Sequence, residues 1–129
     1  MVKNIILVVD DEKNIVHLLK EYLEAKGFSV ETGYDGQMAL ALARAHQPSL
    51  IIMDVDMPRM NGLQALAALR KDATTQAIPV IMLTGVVSAE IFPAIEAIPK
   101  VSHVKKPVSL EDLGSLVTYY LSEPADPEK

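Results

Sequence analysis

The sequence predicts an α/β domain whose parallel sheet is covered by helices on both faces. Two observations carry this. Short apolar runs alternate with apolar stripes at helical spacing, five times along the chain, which is the signature of a parallel sheet fed by crossover helices. Several of the runs are also apolar at every position, as strands buried on both faces must be.

The elements follow in order. Ile5 to Val9 is a continuous β-branched and aliphatic run. Ile15, Leu18, Leu19, Tyr22 and Leu23 then recur as one helical stripe, and Gly27 stops it as a residue past a helix end does. Phe28 to Thr32 alternates, which predicts a strand with one wetter face near the sheet edge. Gly33 to Gly36 turns the chain into an Ala-rich helix over about 37 to 46, ended by Pro48. Leu50 to Met53 is a second fully apolar strand, and Pro58 and Asn61-Gly62 mark the loop after it. Leu63, Leu66, Ala67 and Leu69 form the next stripe. Pro79 precedes a third apolar strand, Val80 to Leu83. A helix is expected over 88 to 98, with Pro93 delaying or kinking it. Val101 to Val104 is a short fifth strand. Ser109-Leu110-Glu111-Asp112 reads as a capping-box variant that opens a last helix bearing Leu113, Leu116, Val117, Tyr120 and Leu121 on one face.

A chain of 129 residues suits one domain, assigned to residues 1–121. Residues 122–129 form a polar tail or the start of a linker. Aromatics are few and Trp is absent, so the core must be aliphatic. The formal net charge of −5 argues against nucleic-acid binding, which needs clustered Lys and Arg. Without cysteine there are no disulfides, thiolate metal sites or Cys nucleophile. The first apolar run is short and ends in Asp10-Asp11-Glu12, unlike a signal peptide. No stretch approaches the ~20 apolar residues of a membrane span. The expected location is therefore the cytoplasm.

In open parallel α/β sheets, ligands bind beyond the carboxyl ends of the strands. Asp10 and Asp11 follow the first strand, Asp54 the third, Thr84 and Gly85 the fourth, and Lys106-Pro107 the fifth. Each has a bland explanation alone. The Asp pair can cap a helix, with Asp11 as the candidate cap; Asp54 can be turn chemistry; Thr84 can be structural; Lys106 can be a solvated charge. Their convergence on one sheet edge is what those explanations leave out. Three crowded carboxylates repel unless positive charge is supplied. Oxygen donors without His or Cys favour Mg²⁺, which keeps several waters and binds through one or two carboxylates plus phosphate oxygens. A carboxylate beside Mg²⁺ and Lys can attack a phosphoryl group and become an aspartyl phosphate.

The sequence resembles the receiver domains of two-component response regulators, from residue 4 to about 121. The resemblance rests on Val8-Val9-Asp10-Asp11-Glu12, Asp54-Val55-Asp56-Met57-Pro58-Arg59-Met60-Asn61-Gly62, Ile78-Pro79-Val80-Ile81-Met82-Leu83-Thr84, and Lys106-Pro107. It implies a flavodoxin-like, doubly wound (βα)5 fold with strand order 2-1-3-4-5. Asp54 would be the phosphoacceptor. Asp11, Asp54 and the backbone carbonyl of Asp56 would ligate Mg²⁺, with Asp10 acting mostly through a metal-bound water. Lys106 would pair with the phosphoryl oxygens, Thr84 would swing inward to them, and Lys106-Pro107 would be cis. The implied protein is a switch and not an enzyme, catalysing only its own phosphorylation and dephosphorylation. Its donor would be a histidine kinase or histidine phosphotransfer protein. A downstream protein would read residues 86–121, and the receiver would be a monomer or a phosphorylation-dependent dimer.

Departures from the family pattern fall on that output surface. His103 stands where Tyr or Phe is usual as a rotating switch residue, Pro93 interrupts the fourth helix, Pro99-Lys100 replaces Gly-Ala, and Val108 stands where Phe is common. Asp56 and Gly85 border the acceptor and are candidates for tuning phosphoryl lifetime. His17 and His46 read as solvated helix residues. Two alternatives remain: a receiver-like interaction module that is never phosphorylated, and a phosphatase of the haloacid-dehalogenase type, whose first motif Asp54-Val55-Asp56 resembles.

Overall fold

A computed structural model of the protein describes residues 4–85, 93, 95 and 97–121. Its elements run β1 (Ile5–Val9), α1 (Lys13–Ala25), β2 (Ser29–Gly33), α2 (Gly36–His46), β3 (Leu50–Asp54), α3 (Gly62–Lys71), β4 (Val80–Thr84), β5 (Val101–Lys105) and α4 (Leu110–Leu121). The five strands are all parallel, in the order β2-β1-β3-β4-β5. The expected doubly wound, flavodoxin-like α/β fold is therefore the observed one. Of the helix expected over 88 to 98, Pro93 and Ile95 are helical, and the Ala97 N–H donates to the Pro93 carbonyl at 3.2 Å. Ala97 is already in a turn and Ile98 in a bend, so the helix does not reach 98 as expected; residues 88–92, 94 and 96 and the tail at 122–129 lie outside the described residues.

Alternation along the central strands sorts their side chains into two cores, one on each face of the sheet. Leu7, Val9, Ile51, Met53, Val80 and Met82 face α2 and α3, where Ala39, Ala43, Ala65, Leu66 and Leu69 meet them. Ile6, Val8, Leu50, Ile52, Ile81 and Leu83 face α1 and α4, where Leu19, Leu23, Leu113 and Val117 meet them. β3 and β4 are buried at every position, whereas β2 and β5, the two edges, are only half-buried. This accounts for the alternating polarity of the second run and the apolar continuity of the first, third and fourth.

Local chemistry sets the helix ends. Gly27 takes a φ of 100°, which side chains disfavour and glycine permits. There its N–H donates to the Glu24 carbonyl and the Phe28 N–H to the Leu23 carbonyl, the paired bonds of a Schellman end. Asp35 caps α2 by accepting the Met38 N–H at 2.8 Å. Asn61 and Gln64 form a reciprocal capping box at the start of α3. Ser109 accepts the Asp112 N–H at 3.2 Å at the start of α4. One sequence expectation fails: Asp11 does not cap α1. Glu12 is the N-cap residue and makes no side-chain cap bond, while Asp10 Oδ1 accepts the Glu12 N–H at 2.9 Å.

Candidate phosphoacceptor and cation site

β1 lies between β2 and β3, and the chain leaves its carboxyl end towards β2 through α1 on one face. The next crossover, from β2 to β3, places α2 on the other face. The carboxyl ends of β1 and β3 therefore border the crevice where a doubly wound sheet changes direction. Asp10 and Asp11 leave β1 there and Asp54 ends β3. Asp10, Asp11 and Asp54 each offer a carboxylate oxygen, all within 4.8 Å of one another. Asp10 and Asp54 are buried and Asp11 is exposed.

Lys106, 20% exposed, reaches into this cluster from the end of β5. Its Nζ lies 3.1 Å from Asp10 Oδ2, 3.2 Å from Asp54 Oδ1 and 3.5 Å from Glu12 Oε1. One ammonium thus serves three carboxylates, and the pocket keeps an excess of negative charge. Burial, followed by the charge of Asp10, pushes the Asp54 carboxyl up to about 6, although Lys106 and the Asp56 N–H act against the rise. Burial likewise raises Asp10, against the Glu12 N–H and Lys106. Lys106 is raised: burial opposes its charge, but Asp10 and Asp54 together outweigh that effect.

The donor set fits a hard divalent cation: three carboxylates, with no imidazole among them. Asp10 Oδ2 is buried and makes no hydrogen bond, its only described partner being the ion pair to Lys106. Two like charges at about 4 Å repel by roughly 4 kcal/mol at an effective dielectric of about 20. One lysine does not neutralise three such groups, and a cation would.

The remaining expected residues fall around this pocket. Thr84 ends β4, fully buried, and its hydroxyl donates to the Val104 carbonyl at 3.5 Å, so it is turned towards β5. The Lys106-Pro107 bond is cis. Asp56 lies in the loop after β3 with its side chain exposed, and Gly85 is its neighbour across the pocket, where an added Cβ would stand 3.8 Å from Asp56 Oδ2. His103 sits mid-β5, half-buried, in register with Met82. His17 pairs with Glu21 at 3.1 Å and His46 with Glu31 at 3.9 Å, both on the surface.

Three features of the site escaped sequence reasoning. Glu12 joins the Lys106 cluster. Gly62 packs so closely behind Asp54 that an added Cβ would stand 2.2 Å from the Asp54 carbonyl oxygen. Asp35 pairs with Arg59 at 2.8 Å. Asp35-Gly36 before an Ala-rich stripe is a cap signal that could have been read; the partner 24 residues away could not.

Fold and site together define a doubly wound α/β protein with an acid pocket and a lysine at its switch point. The sequence matches the response regulator receiver domain family over residues 6–118, and the chain belongs to that family. It is 44% identical over 79 residues to protein PilH of Pseudomonas aeruginosa, a match covering 61% of this chain and 65% of PilH. It is 47% identical over 82 residues to the transcriptional regulatory protein CpxR of Escherichia coli, covering 64% of this chain but 34% of CpxR. Among solved structures, the chemotaxis protein CheY4 of Vibrio cholerae superposes with a TM-score of 0.84 at 32% identity, over 93% of this chain and 100% of that one. The phosphatase alternative loses its support here, because the Asp54-Val55-Asp56 segment follows the third strand of a receiver fold.

Proposed function

We propose that the protein is a Mg²⁺-dependent switch that takes a phosphoryl group onto Asp54 from a histidine kinase or histidine phosphotransfer protein. The observation that carries this is Asp54 itself: a buried carboxylate within reach of two further acids and 3.2 Å from a lysine, at the end of a central strand.

In the transfer, one Asp54 carboxylate oxygen forms a bond to phosphorus while the P–N bond to the donor imidazole breaks. The electron pair of that bond leaves on the imidazole nitrogen. Asp10, Asp11, Asp54 and the backbone carbonyl of Asp56 would hold the cation, which supplies positive charge opposite the phosphoryl oxygens. Lys106 would give up its carboxylate partners and pair with those oxygens. Thr84 would turn from Val104 towards the phosphoryl group, and the change would pass through β5, with His103 at its middle, to a protein partner on residues 86–121. Ligand-free and phosphorylated forms then differ by a population shift between two arrangements. The protein acts on no other substrate in this reading. Its cytoplasmic location follows from the donor, whose phosphoryl group derives from ATP. No described helix is long and apolar enough to cross a membrane.

The test is incubation with Mg²⁺ and acetyl phosphate, followed by intact mass, with Asp54→Asn in parallel. One added phosphoryl group on the wild type, absent without Mg²⁺ and absent from the variant, is the expected result. A folded, Mg²⁺-binding protein that takes no label would instead be an interaction module.

A further inference from the structure

The loop after β3 carries Asp56, whose backbone N–H acts on the Asp54 carboxylate. The loop is closed at its base, where the Gly62 N–H donates to the Val55 carbonyl at 2.8 Å. Its far end is fastened to the start of α2 by two bonds. Arg59 Nη2 donates to Asp35 Oδ2 at 2.8 Å, and the Gly36 N–H donates to the Met60 carbonyl at 3.2 Å. The second contact is tight: a Cβ at Gly36 would stand 2.5 Å from that carbonyl oxygen. Asp35 is nearly buried and doubly used, since its other oxygen caps α2.

Arg59 is unusual in two respects. Its φ is 66°, a left-handed backbone that glycine adopts without strain and a long side chain does not. Its side chain is also 69% exposed while that of Asp35 is 12% exposed, so solvent screens the arginine's end of the pair. An arginine where the backbone favours glycine, reaching from solvent to a nearly buried carboxylate, is best explained by what its guanidinium holds in place.

We infer that Asp35 and Arg59 form a positioning clamp: by pinning the far end of the loop to α2 they fix the Asp56 backbone, and thereby set the affinity of the acid pocket for a divalent cation. The inference rests on the Mg²⁺-binding reading above. Neither residue is a ligand; both act through the loop.

Positioning and simple charge effects predict opposite signs at one of the two residues. Through space alone, removing the Arg59 cation would tighten Mg²⁺ binding and removing the Asp35 anion would weaken it. A clamp requires that either removal weakens binding, and that removing both does no further harm. The suitable variants are Arg59→Gly, which suits the left-handed backbone, and Asp35→Asn, which keeps a good cap residue for α2. Mg²⁺ titration by calorimetry on the wild type, both single variants and the double variant is the measurement, with urea midpoints taken alongside. The expected result is a Kd raised about tenfold in all three, the lower end of what outer supports of a metal site contribute, with urea midpoints near that of the wild type. Unchanged affinity, opposite shifts in the two single variants, additive losses, or losses that track stability would overturn the clamp. A wild type that binds no Mg²⁺ would overturn the function reading and the clamp together.

Discussion

Replacing Asp54 by Asn should stabilise the protein when no divalent cation is present. Raising a carboxyl from 3.8 to about 6 disfavours its charged form by about 3 kcal/mol. The open side of the pocket admits solvent, which reduces the expected gain to about 1–3 kcal/mol. Asn keeps the shape, and Lys106 is not orphaned, because Asp10 and Glu12 remain beside it at 3.1 and 3.5 Å. The assay is urea unfolding at pH 7.5 in chelator, comparing midpoints at equal m-value. The sign with pH follows from linkage. Between about 4 and 6 the folded protein binds a proton at Asp54 that the unfolded chain has released, so the wild type gains stability as the pH falls through that window. Asn does not titrate, and groups remote from Asp54 cancel in the difference, whereas Asp10 and Lys106 are coupled to it and shift with it. The gap should therefore be widest above about pH 6 and narrow towards pH 4. A variant less stable than the wild type in chelator, or a gap independent of pH, would refute the claim that charge crowding at Asp54 is a burden on the folded state.

Other outcomes follow from the same geometry. Mg²⁺ at a hundred times its Kd should raise the unfolding free energy of the wild type by about 2.7 kcal/mol; thermal melts with and without the ion measure this, and Asp54→Asn should gain much less. Gly62→Ala must place a methyl 2.2 Å from the Asp54 carbonyl oxygen and 2.9 Å from Val55 Cα; backbone cannot yield there, so a loss of at least about 2 kcal/mol in urea is expected, with loss of phosphorylation. Asn61→Ala removes the capping box of α3 and should lower stability by about 1 kcal/mol, seen as a shifted urea midpoint. Ile52→Ala empties a fully buried position in β3 and should lower it by about 2–5 kcal/mol.

Much of the architecture was legible because local pattern and burial coincide. The unbroken apolar runs at Ile5, Leu50 and Val80 became β1, β3 and β4, and the alternating run at Phe28 became an edge strand displaced by one residue, Ser29–Gly33. The acids and the lysine were legible because a parallel sheet puts all its carboxyl ends on one side. Strand order was not: pairing of β1 with β3, Ile6 opposite Leu50, is a long-range event with no local trace, and only the family resemblance supplied it. Asp11 was misread as a cap because an acid before a helix fits that role equally well; the choice was settled by Asp10 taking the Glu12 N–H instead. The Asp35–Arg59 pair was invisible for the same reason as strand order, its partners being brought together only by the complete fold.

The site draws its parts from strands of unequal strength. The acids stand on β1 and β3, at the centre of the sheet, while Lys106 follows β5, an edge strand with one buried residue. Regions with few buried contacts open at lower free energy than the core. Fraying of β5 would carry the ammonium away and leave three carboxylates facing one another in a still-folded core. Amide exchange should therefore run faster along Val101–Lys105 than along Leu50–Asp54, and the lifetime of the complete pocket would be set by the rate at which that edge lets go, well before the protein unfolds.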